Sequence, residues 1–342
     1  MKKLVQYILP LLVLTSCVEN VDLTSNADEI ITIRNAGADI PAHIFGNTAS
    51  KTFIVMVHGG PGGSGLEYRG TDMEPIEEKY AVVYTDQRGQ GNSHGIYSNT
   101  ELTIDQMVDD LKVLIETLNY RYGNDISVFM LGHSWGGTLS GKFVVNDSTQ
   151  KMLSGWIEAD GAHDLPLLNK SAVSMFLHYA DREISRGNNV ERWQGIRDTI
   201  SLIDSNNVSN EESGTINSLA YTAEGLINEV YNGDSMARTY PSLSRLNPLT
   251  SLLSGNAANA GLNDEIEATA LTNQLYKVTI PSLFLWGKYD FVVPPRLGYT
   301  AYANVSSTQK RLVIFNKSGH SPMVHEPEKF ANEIIEFVEA NR

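Results

Sequence analysis

Residues 128–137 read VFMLGHSWGG, an apolar run that passes directly into a serine flanked by glycines. A short apolar run bounded by turn residues is typical of a buried strand, and the small residues after Ser134 suit the start of a helix. The G-x-S-x-G pattern between a strand and a helix holds its serine on a strained turn with the hydroxyl exposed, and a side chain at either flanking glycine would collide with backbone. We therefore predict that Ser134 is a catalytic nucleophile and that the adjacent His133 is structural.

Short apolar strands alternate with helical patterns on both sides of this unit. A helix is predicted from Ile104 to Leu118, with Thr103 as its cap, and a closing helix from about Pro327 to Ala340. Strands are predicted at Ile30–Arg34, Ile40–Phe45, Phe53–Val57, Ala81–Tyr84, Ser127–Leu131, Trp156–Ala159, Ser282–Trp286 and Leu312–Phe315. This alternation predicts an α/β fold, with a mostly parallel central sheet and helices on both of its faces.

One long section interrupts the alternation. Residues 164–272 are rich in Asn and Ser and contain short helical patterns without a convincing buried strand. We predict that they form a helical cap, inserted into a core made of residues 29–163 and 273–342. The cap would lie over the carboxyl edge of the sheet, where open α/β sheets bind ligands.

The amino terminus has the features of an export signal. Lys2 and Lys3 precede an apolar run from Leu4 to Leu14, which is too short to span a bilayer. Leu14-Thr15-Ser16-Cys17 resembles a bacterial lipobox, in which cleavage before the cysteine leaves that cysteine to be lipidated; the alternative is an ordinary signal peptide with a chance cysteine. We predict a lipoprotein signal peptide at residues 1–16, lipidation of Cys17 and a polar tether at residues 17–28. The protein is then expected in the bacterial cell envelope, attached to a membrane through a lipid anchor only.

Composition excludes several classes of function. The 342 residues include 42% hydrophobic residues, enough for a packed core, and carry a formal net charge of −14, which becomes −16 once residues 1–16 are removed. So acidic a chain repels phosphate backbones, and we expect no nucleic-acid partner. Cys17 is the only cysteine, and no histidine pair has the helical spacing of a metal hydrolase, so neither a disulfide nor a metal or other cofactor is expected.

A second glycine-rich loop follows the strand at Phe53–Val57. It reads HGGPGG over residues 58–63 and lacks the Lys-Ser/Thr ending of a phosphate-binding P-loop. The backbone N–H groups of Gly60 and Trp135 are instead predicted to face a tetrahedral oxyanion, as acyl transfer requires.

Three motifs together resemble the prolyl iminopeptidase family of α/β-hydrolases. They are HGGPGG at residues 58–63, DQRGQGNS at residues 86–93 and GHSWGG at residues 132–137. The resemblance covers roughly residues 30–160 and 275–342. It implies an α/β-hydrolase fold with a helical cap, and a serine hydrolase of a family in which many members remove an N-terminal residue, often proline, from peptides. Gly60 and Trp135 occupy the oxyanion positions of the family, and Asp86 and Arg88 are expected to brace the loop beneath the site.

The acid and the base of the site are predicted from chain order, which is Ser, acid, His in this fold. Gly287-Lys288-Tyr289-Asp290 follows a predicted strand and resembles the acid turn of the family. Lys317-Ser318-Gly319-His320 follows the next strand and resembles its histidine loop. His320 would take the proton of Ser134, and Asp290 would fix the tautomer of His320. Asp160, at another strand end, is the alternative acid, and His325 is the nearest rival of His320.

The cap is predicted to bind the amino group of a peptide substrate. An ammonium group is held by buried carboxylates, and residues 162–270 contain 14 Asp and Glu against 7 Lys and Arg. Glu183, Glu224 and Glu229 have apolar neighbours in the sequence and are the candidates, although for any single residue a solvated acidic surface is the simpler explanation. The cap lacks the acidic and aromatic signatures of proline-specific members, which leaves a preference for proline open.

Three functions are compatible with these patterns. The first is an aminopeptidase of the prolyl iminopeptidase type, and the second is an esterase or lactonase that uses the same triad on a small-molecule ester. The third is a binding lipoprotein on a hydrolase scaffold, against which the intact set of Ser134, Asp290 and His320 argues. We expect a small peptide, or a small-molecule ester or amide, as the substrate.

Overall fold

Nine strands form one sheet in the computed structural model, which describes residues 21–70, 73–98, 101–231 and 262–342. The strands are β1 (Ala27–Asn35), β2 (Ala38–Gly46), β3 (Thr52–Val57), β4 (Ala81–Thr85), β5 (His94–Gly95), β6 (Ser127–His133), β7 (Gly155–Ala159), β8 (Ser282–Gly287) and β9 (Lys310–Phe315). The predicted signal peptide and Cys17 lie outside the described residues, as do residues 232–261 of the predicted cap.

The sheet has the order β1-β2-β4-β3-β6-β7-β8-β9, with β5 paired to β2. β1, β2 and β5 form an antiparallel edge, and β2 also pairs antiparallel with β4. From β4 to β9 every pairing is parallel. Because parallel strands end at one edge, the segments after β3, β6, β7, β8 and β9 meet there. These segments carry the residues singled out from the sequence.

Helices cover both faces of the sheet. They are α1 (Glu74–Glu77), α2 (Ile104–Tyr122), α3 (Trp135–Val144), α4 (Asp147–Gln150), α5 (Leu165–Arg186), α6 (Val190–Ile200), α7 (Asn210–Tyr231), α8 (Arg296–Asn304), α9 (Pro322–His325) and α10 (Pro327–Asn341). Residues 262–267 are also helical. No helix in the described part of the chain is both long enough and apolar enough to cross a membrane.

The central strands are apolar along their whole length because both of their faces are covered. Every residue of β3, β4, β7 and β8 is buried. Side chains of one parity pack with α2, α3 and the cap helices, and those of the other parity pack with α1 and α10. A one-residue change in the register of a strand would move each side chain to the opposite face of the sheet. The packing on both faces therefore fixes the register of these strands.

The section between β7 and β8 is helical wherever it is described. It contains α5, α6, α7 and the helical residues 262–267. Its two ends meet at the sheet: Leu165 donates its N–H to the carbonyl of Thr269, and Leu271 donates to that of His163. Asp164 caps α5 by accepting from Leu167 N and also accepts from Thr272 N. These bonds anchor the base of the insertion, which is referred to below as the cap (residues 164–272).

Candidate active site

Ser134 stands at the turn between β6 and α3 in a strained conformation. Its φ is +55° and its ψ is −123°, a region that non-glycine residues rarely adopt. A Cβ at Gly132 would lie 2.2 Å from Ser140 Oγ, and one at Gly136 would lie 1.9 Å from the carbonyl oxygen of Val57. The turn therefore needs both glycines, as the sequence pattern predicts.

Ser134, His320 and Asp290 lie in hydrogen-bonding contact. His320 Nε2 is 2.9 Å from Ser134 Oγ, and His320 Nδ1 is 3.0 Å from Asp290 Oδ2. Because an ionised carboxylate can only accept, Nδ1 carries the proton and Nε2 is free to accept from the serine hydroxyl. The second oxygen of Asp290 accepts from Val293 N at 2.7 Å, which fixes the orientation of the carboxylate. The structure thus brings together the three residues that the sequence singled out.

Burial governs the charge of these groups. Asp290 is fully buried and His320 is 5% exposed. Burial lowers the pKa of His320, so its imidazole is neutral and can accept a proton. Burial, with a further contribution from Glu224, raises the pKa of Asp290 well above its ordinary value. A fixed tautomer and a neutral ring are what a general base requires before reaction.

Gly60 and Trp135 are the two residues predicted to form the oxyanion hole, in the same cavity as Ser134. Both residues line that cavity. Trp135 is the first residue of α3, where the N–H has no partner within the helix. Gly60 has a φ of +123°, and a Cβ there would lie 2.7 Å from Gly62 N. The position of both groups is compatible with the predicted oxyanion hole.

The loop after β4 braces the glycine-rich loop after β3. Gln87 donates its side-chain N–H to the carbonyl of His58 and accepts from Trp135 Nε1 at 2.7 Å. Asp86 accepts from Gly65 N at 2.9 Å, and Arg88 forms a two-point ion pair with Asp110. Asp86 and Arg88 are buried away from the cavity, in keeping with the bracing role expected from the sequence. Gln87 was not singled out, because its contact with Trp135 joins residues 48 positions apart.

His133 links the glycine-rich loop to the histidine loop. Its Nε2 is 2.8 Å from the carbonyl oxygen of His320, so this nitrogen donates and Nδ1 accepts from Tyr68. The Tyr68 oxygen in turn accepts from Gly59 N at 2.9 Å. Burial lowers the pKa of His133 to about 3, which keeps the ring neutral. The predicted structural role agrees with this chain of hydrogen bonds.

A cavity of about 460 Å³ opens above Ser134, between the sheet edge and the cap. This volume is in the range of cavities that bind small organic ligands. One wall is apolar and includes Leu165, Leu168, Ile216, Val292 and Val293. Ser134 and Thr138 of the core contribute to the polar lining, and the cap supplies the rest of it: Asn169, Asn210, Ser213, Asn217, Asn263 and Glu267. The cavity therefore suits a substrate with an apolar part and a polar or charged end.

The three glutamates predicted to bind substrate lie in different surroundings. Glu183 is buried within the cap, where Arg182, Asn188 and Tyr231 already donate to its carboxylate. Glu229 is exposed and pairs with Arg192 at 3.0 Å. The structure brings neither to the cavity, because both carboxylates already have partners elsewhere in the cap.

Glu224, the third candidate, lies directly behind the triad. It is 8% exposed, and its two oxygens accept from the N–H groups of Phe291 and His320, both at 3.1 Å. No Lys or Arg among the described residues forms an ion pair with it. Burial without a counter-charge raises its pKa to about 7.

Glu267 was missed from the sequence, although it lines the cavity together with Ser134. It accepts from Asn169 Nδ2 at 3.2 Å and from Ser213 Oγ at 2.7 Å, and has no ion pair within the described residues. No group of three His, Cys, Asp or Glu side chains in residues 21–70, 73–98, 101–231 and 262–342 is placed to hold a metal ion. Glu267 is thus a carboxylate at the cavity wall without a cationic partner.

Comparison with known proteins identifies the family. The model of the alpha/beta hydrolase fold matches residues 52–327. The chain belongs to the α/β-hydrolase fold family. This α/β hydrolase is 26% identical over 303 residues to a proline iminopeptidase of Saccharolobus solfataricus, covering 89% of this chain and 90% of that relative. It is 22% identical over 303 residues to a proline iminopeptidase of Heyndrickxia coagulans, covering 88% and 96%.

Solved structures show the same fold. An esterase from Exiguobacterium antarcticum superposes with a TM-score of 0.58 at 19% identity, covering 92% of this chain and all of that one. The predicted fold class and the resemblance to prolyl iminopeptidases are confirmed, and the protein is a serine hydrolase. The boundaries of the signal peptide, core and cap stay predictions.

Proposed function

We propose that this hydrolase removes an N-terminal residue from peptides through an acyl-enzyme intermediate. The observation that carries the proposal is Glu267, a carboxylate without a cationic partner in the cavity that contains Ser134. Such a group is suited to the free ammonium group that distinguishes the end of a peptide from its interior. The similarity to two proline iminopeptidases supports the same function.

The triad accounts for the chemistry. His320 Nε2 takes the proton of Ser134 Oγ as that oxygen attacks the scissile carbonyl, and Asp290 stabilises the imidazolium that forms. The developing oxyanion faces the N–H groups of Gly60 and Trp135. His320 then gives its proton to the departing amine, and water repeats the sequence on the acyl-enzyme. The first of these proton transfers joins two atoms that already lie 2.9 Å apart, Ser134 Oγ and His320 Nε2.

Glu267 is proposed to hold the substrate ammonium group at the cavity wall, and Glu224, which lies behind the triad and outside the cavity lining, to attract that group by its charge. An ionised carboxylate has about four acceptor positions, and the described bonds use two of them on Glu267. On Glu224, main-chain N–H groups of His320, Phe291 and Val292 already bond to the carboxylate. An ammonium group would occupy positions that remain on Glu267. It would also supply the counter-charge whose absence raises the pKa of Glu224 to about 7.

An esterase or lactonase activity is the second candidate. A serine triad cleaves esters by the same acyl-enzyme route, and an esterase shares this fold at a TM-score of 0.58. The two candidates differ in what the cavity must recognise, because an acyl ester has no ammonium group. The polar lining supplied by the cap favours the aminopeptidase.

A substrate panel separates the two functions. We expect aminoacyl amides with a free amine to be hydrolysed with a higher kcat/KM than acyl esters of matched size, although esters have the better leaving group. Prolyl amide belongs in the panel beside alanyl, leucyl and asparaginyl amides, because the cavity is lined by both apolar residues and asparagines. Faster turnover of acyl esters than of every aminoacyl amide would contradict the aminopeptidase.

We also propose that the mature protein is lipid-anchored in the bacterial cell envelope. The support is the sequence Leu14-Thr15-Ser16-Cys17 after a short apolar run, with Cys17 the only cysteine of the chain. In this proposal the protein binds the membrane only through its lipid anchor.

Replacing Cys17 by alanine tests the anchor. The full-length C17A variant should leave the membrane fraction or accumulate with its signal peptide uncleaved, because the cysteine is both the cleavage-site residue and the lipid acceptor. Fractionation and metabolic labelling with a fatty acid measure this, and Ser16→Ala is the matched control. A C17A variant that remains labelled and membrane-bound would show that the anchor is wrongly assigned.

A further inference from the structure

Asp160 is a buried carboxyl group to which the proposed chemistry gives no role. It follows β7 at the carboxyl edge of the sheet, with a φ of +45° and no exposed surface. Its main-chain N–H donates to the carbonyl of Leu285, and its Oδ1 accepts from Gly287 N at 2.8 Å. Both contacts tie it to β8, the strand that leads to Asp290. Its other oxygen, Oδ2, is buried and receives no donor from the described residues.

A second carboxyl group lies beside Asp160, because Asp290 N donates to the carbonyl of Gly287, whose own N–H donates to Asp160. Asp160 and Asp290 lie within hydrogen-bonding reach of each other, and Glu224 lies close enough to act on both. The other titratable neighbours are Tyr221, on which Glu224 and Asp290 both act, and His320, which forms the only described ion pair of Asp290. Three ionised carboxylates in a buried site with one imidazole would repel each other strongly. Burial first, and then Asp290, raise the pKa of Asp160 well above its ordinary value.

We propose that Asp160 is a neutral carboxylic acid at the working pH and donates its Oδ2–H to Asp290. Asp160 is then a positioning residue. Its proton satisfies an otherwise unpaired buried oxygen and leaves the negative charge of the pair on Asp290, next to His320. Asp290 would receive three donors, from His320 Nδ1, Val293 N and Asp160, and could not rotate without losing one of them.

Replacement by asparagine should affect Asp160 and Asp290 differently. Asparagine at position 160 keeps an oxygen for Gly287 N and replaces the O–H donor by an N–H donor, so it resembles the protonated acid. Asparagine at position 290 removes the charge and places a donor where His320 Nδ1 must donate. We expect D290N to lower kcat by about 10⁴-fold. We expect D160A to lower kcat/KM by roughly 10- to 100-fold, and D160N to restore most of that loss.

Two measurements that need no substrate test the proposal on the full chain. The infrared difference spectrum of wild type minus D160N at pH 7 should contain a carbonyl band of a protonated carboxylic acid, in addition to the band that Glu224, with a pKa of about 7, contributes to both proteins. Denaturant unfolding is the second measurement. Folded Asp160 holds a proton that it releases on unfolding, so the free energy of unfolding of wild type should fall relative to that of D160N as the pH rises above about 4. The ratio of their unfolding constants should change by about tenfold per pH unit until the folded pKa is reached.

Three results would overturn the inference. They are an infrared difference spectrum without a carboxylic-acid band, a ratio of unfolding constants that stays constant between pH 5 and pH 8, and a D160N variant that fails to fold. The inference rests on the proposed roles of Asp290 and His320. An inactive wild-type enzyme on the substrate panel would remove the proposed function, while the infrared and unfolding results would still decide the protonation of Asp160.

Discussion

Replacing Ser134 by alanine is expected to lower kcat on the best substrate by about 10⁴- to 10⁶-fold while the protein stays folded. The hydroxyl makes its described hydrogen bond to His320 Nε2, and no core contact depends on it. Alanine adopts the strained turn conformation as well as serine does, so the change in the free energy of unfolding should stay within about 1 kcal/mol. Steady-state kinetics and thermal unfolding measure the two effects.

Labelling by a fluorophosphonate gives a second readout that needs no known substrate. Wild type should be labelled and Ser134→Ala should not. His320→Ala should lose labelling as well, because the serine then has no base. His325→Ala is the matched control, since His325 is half-buried and lies outside the cavity, and it should still be labelled. A Ser134→Ala variant with more than a tenth of wild-type activity would exclude Ser134 as the nucleophile.

The triad could be predicted from the sequence because each of its members sits in a local pattern with a physical cause. Ser134 needs small neighbours at Gly132 and Gly136, and a Cβ at either position would overlap other atoms. Asp290 follows the buried strand β8 and His320 follows the half-buried edge strand β9, and these two parallel strands end at the same edge of the sheet. Local sequence patterns and the shared direction of the strands were therefore enough to predict that the three side chains lie together.

The cap contacts could not be predicted in the same way. Glu224 meets Phe291 and His320 only because α7 packs over the loops after β8 and β9, a contact that spans 67 and 96 residues. Glu183 also has apolar neighbours, but its carboxylate turns toward Arg182 and Tyr231 inside the cap. Apolar neighbours in the sequence made Glu183, Glu224 and Glu229 candidates for buried carboxylates; the first two are buried and the third is exposed. The sequence did not indicate which element each carboxylate faces, because that depends on how the cap helices pack.

Glu267 illustrates a second limit. It lies in the last helical turns before the chain returns to the sheet, where the sequence NDEIEATA shows three acidic residues and no feature that separates one from another. Its position is set by the pairing of Leu165 with Thr269 at the base of the cap. That pairing brings Glu267 near Asn169 and Ser213, which are 98 and 54 residues away in the chain.

Acetylating the amine of an aminoacyl amide is expected to lower kcat/KM by about 30- to 4000-fold, the equivalent of roughly 2–5 kcal/mol. Acetylation removes the positive charge and adds bulk, so Glu267 would lose a charge-assisted contact in a confined site and Glu224 would lose the attraction of a nearby positive charge. E267Q and E224Q should each reduce the ratio of the two rates, mainly by slowing the free amine. E229Q is the matched control, because Glu229 is exposed and pairs with Arg192, and it should leave the ratio unchanged.

Equal rates on the free and acetylated substrates would contradict the aminopeptidase and leave a general esterase. A strong preference that survives both E267Q and E224Q would keep the function but reject these two residues as the ammonium site. E224Q also removes charge next to Asp290 and His320 and is therefore expected to slow both substrates. The ratio of rates, rather than either rate alone, reports on binding of the amine.

The pH dependence of this ratio separates the two glutamates. The pKa of Glu224 is raised to about 7 in the free enzyme, so below pH 7 its carboxyl group is protonated and can no longer attract an ammonium group. The preference for the free amine should therefore fall by up to tenfold per pH unit below pH 7. It should fall again above about pH 8, where the amine itself loses its proton. Titration of His320 affects both substrates and cancels in the ratio. In E224Q the acidic decline should disappear while the alkaline decline remains; an acidic decline unchanged in E224Q would assign it to another group and leave Glu267 as the ammonium-binding carboxylate.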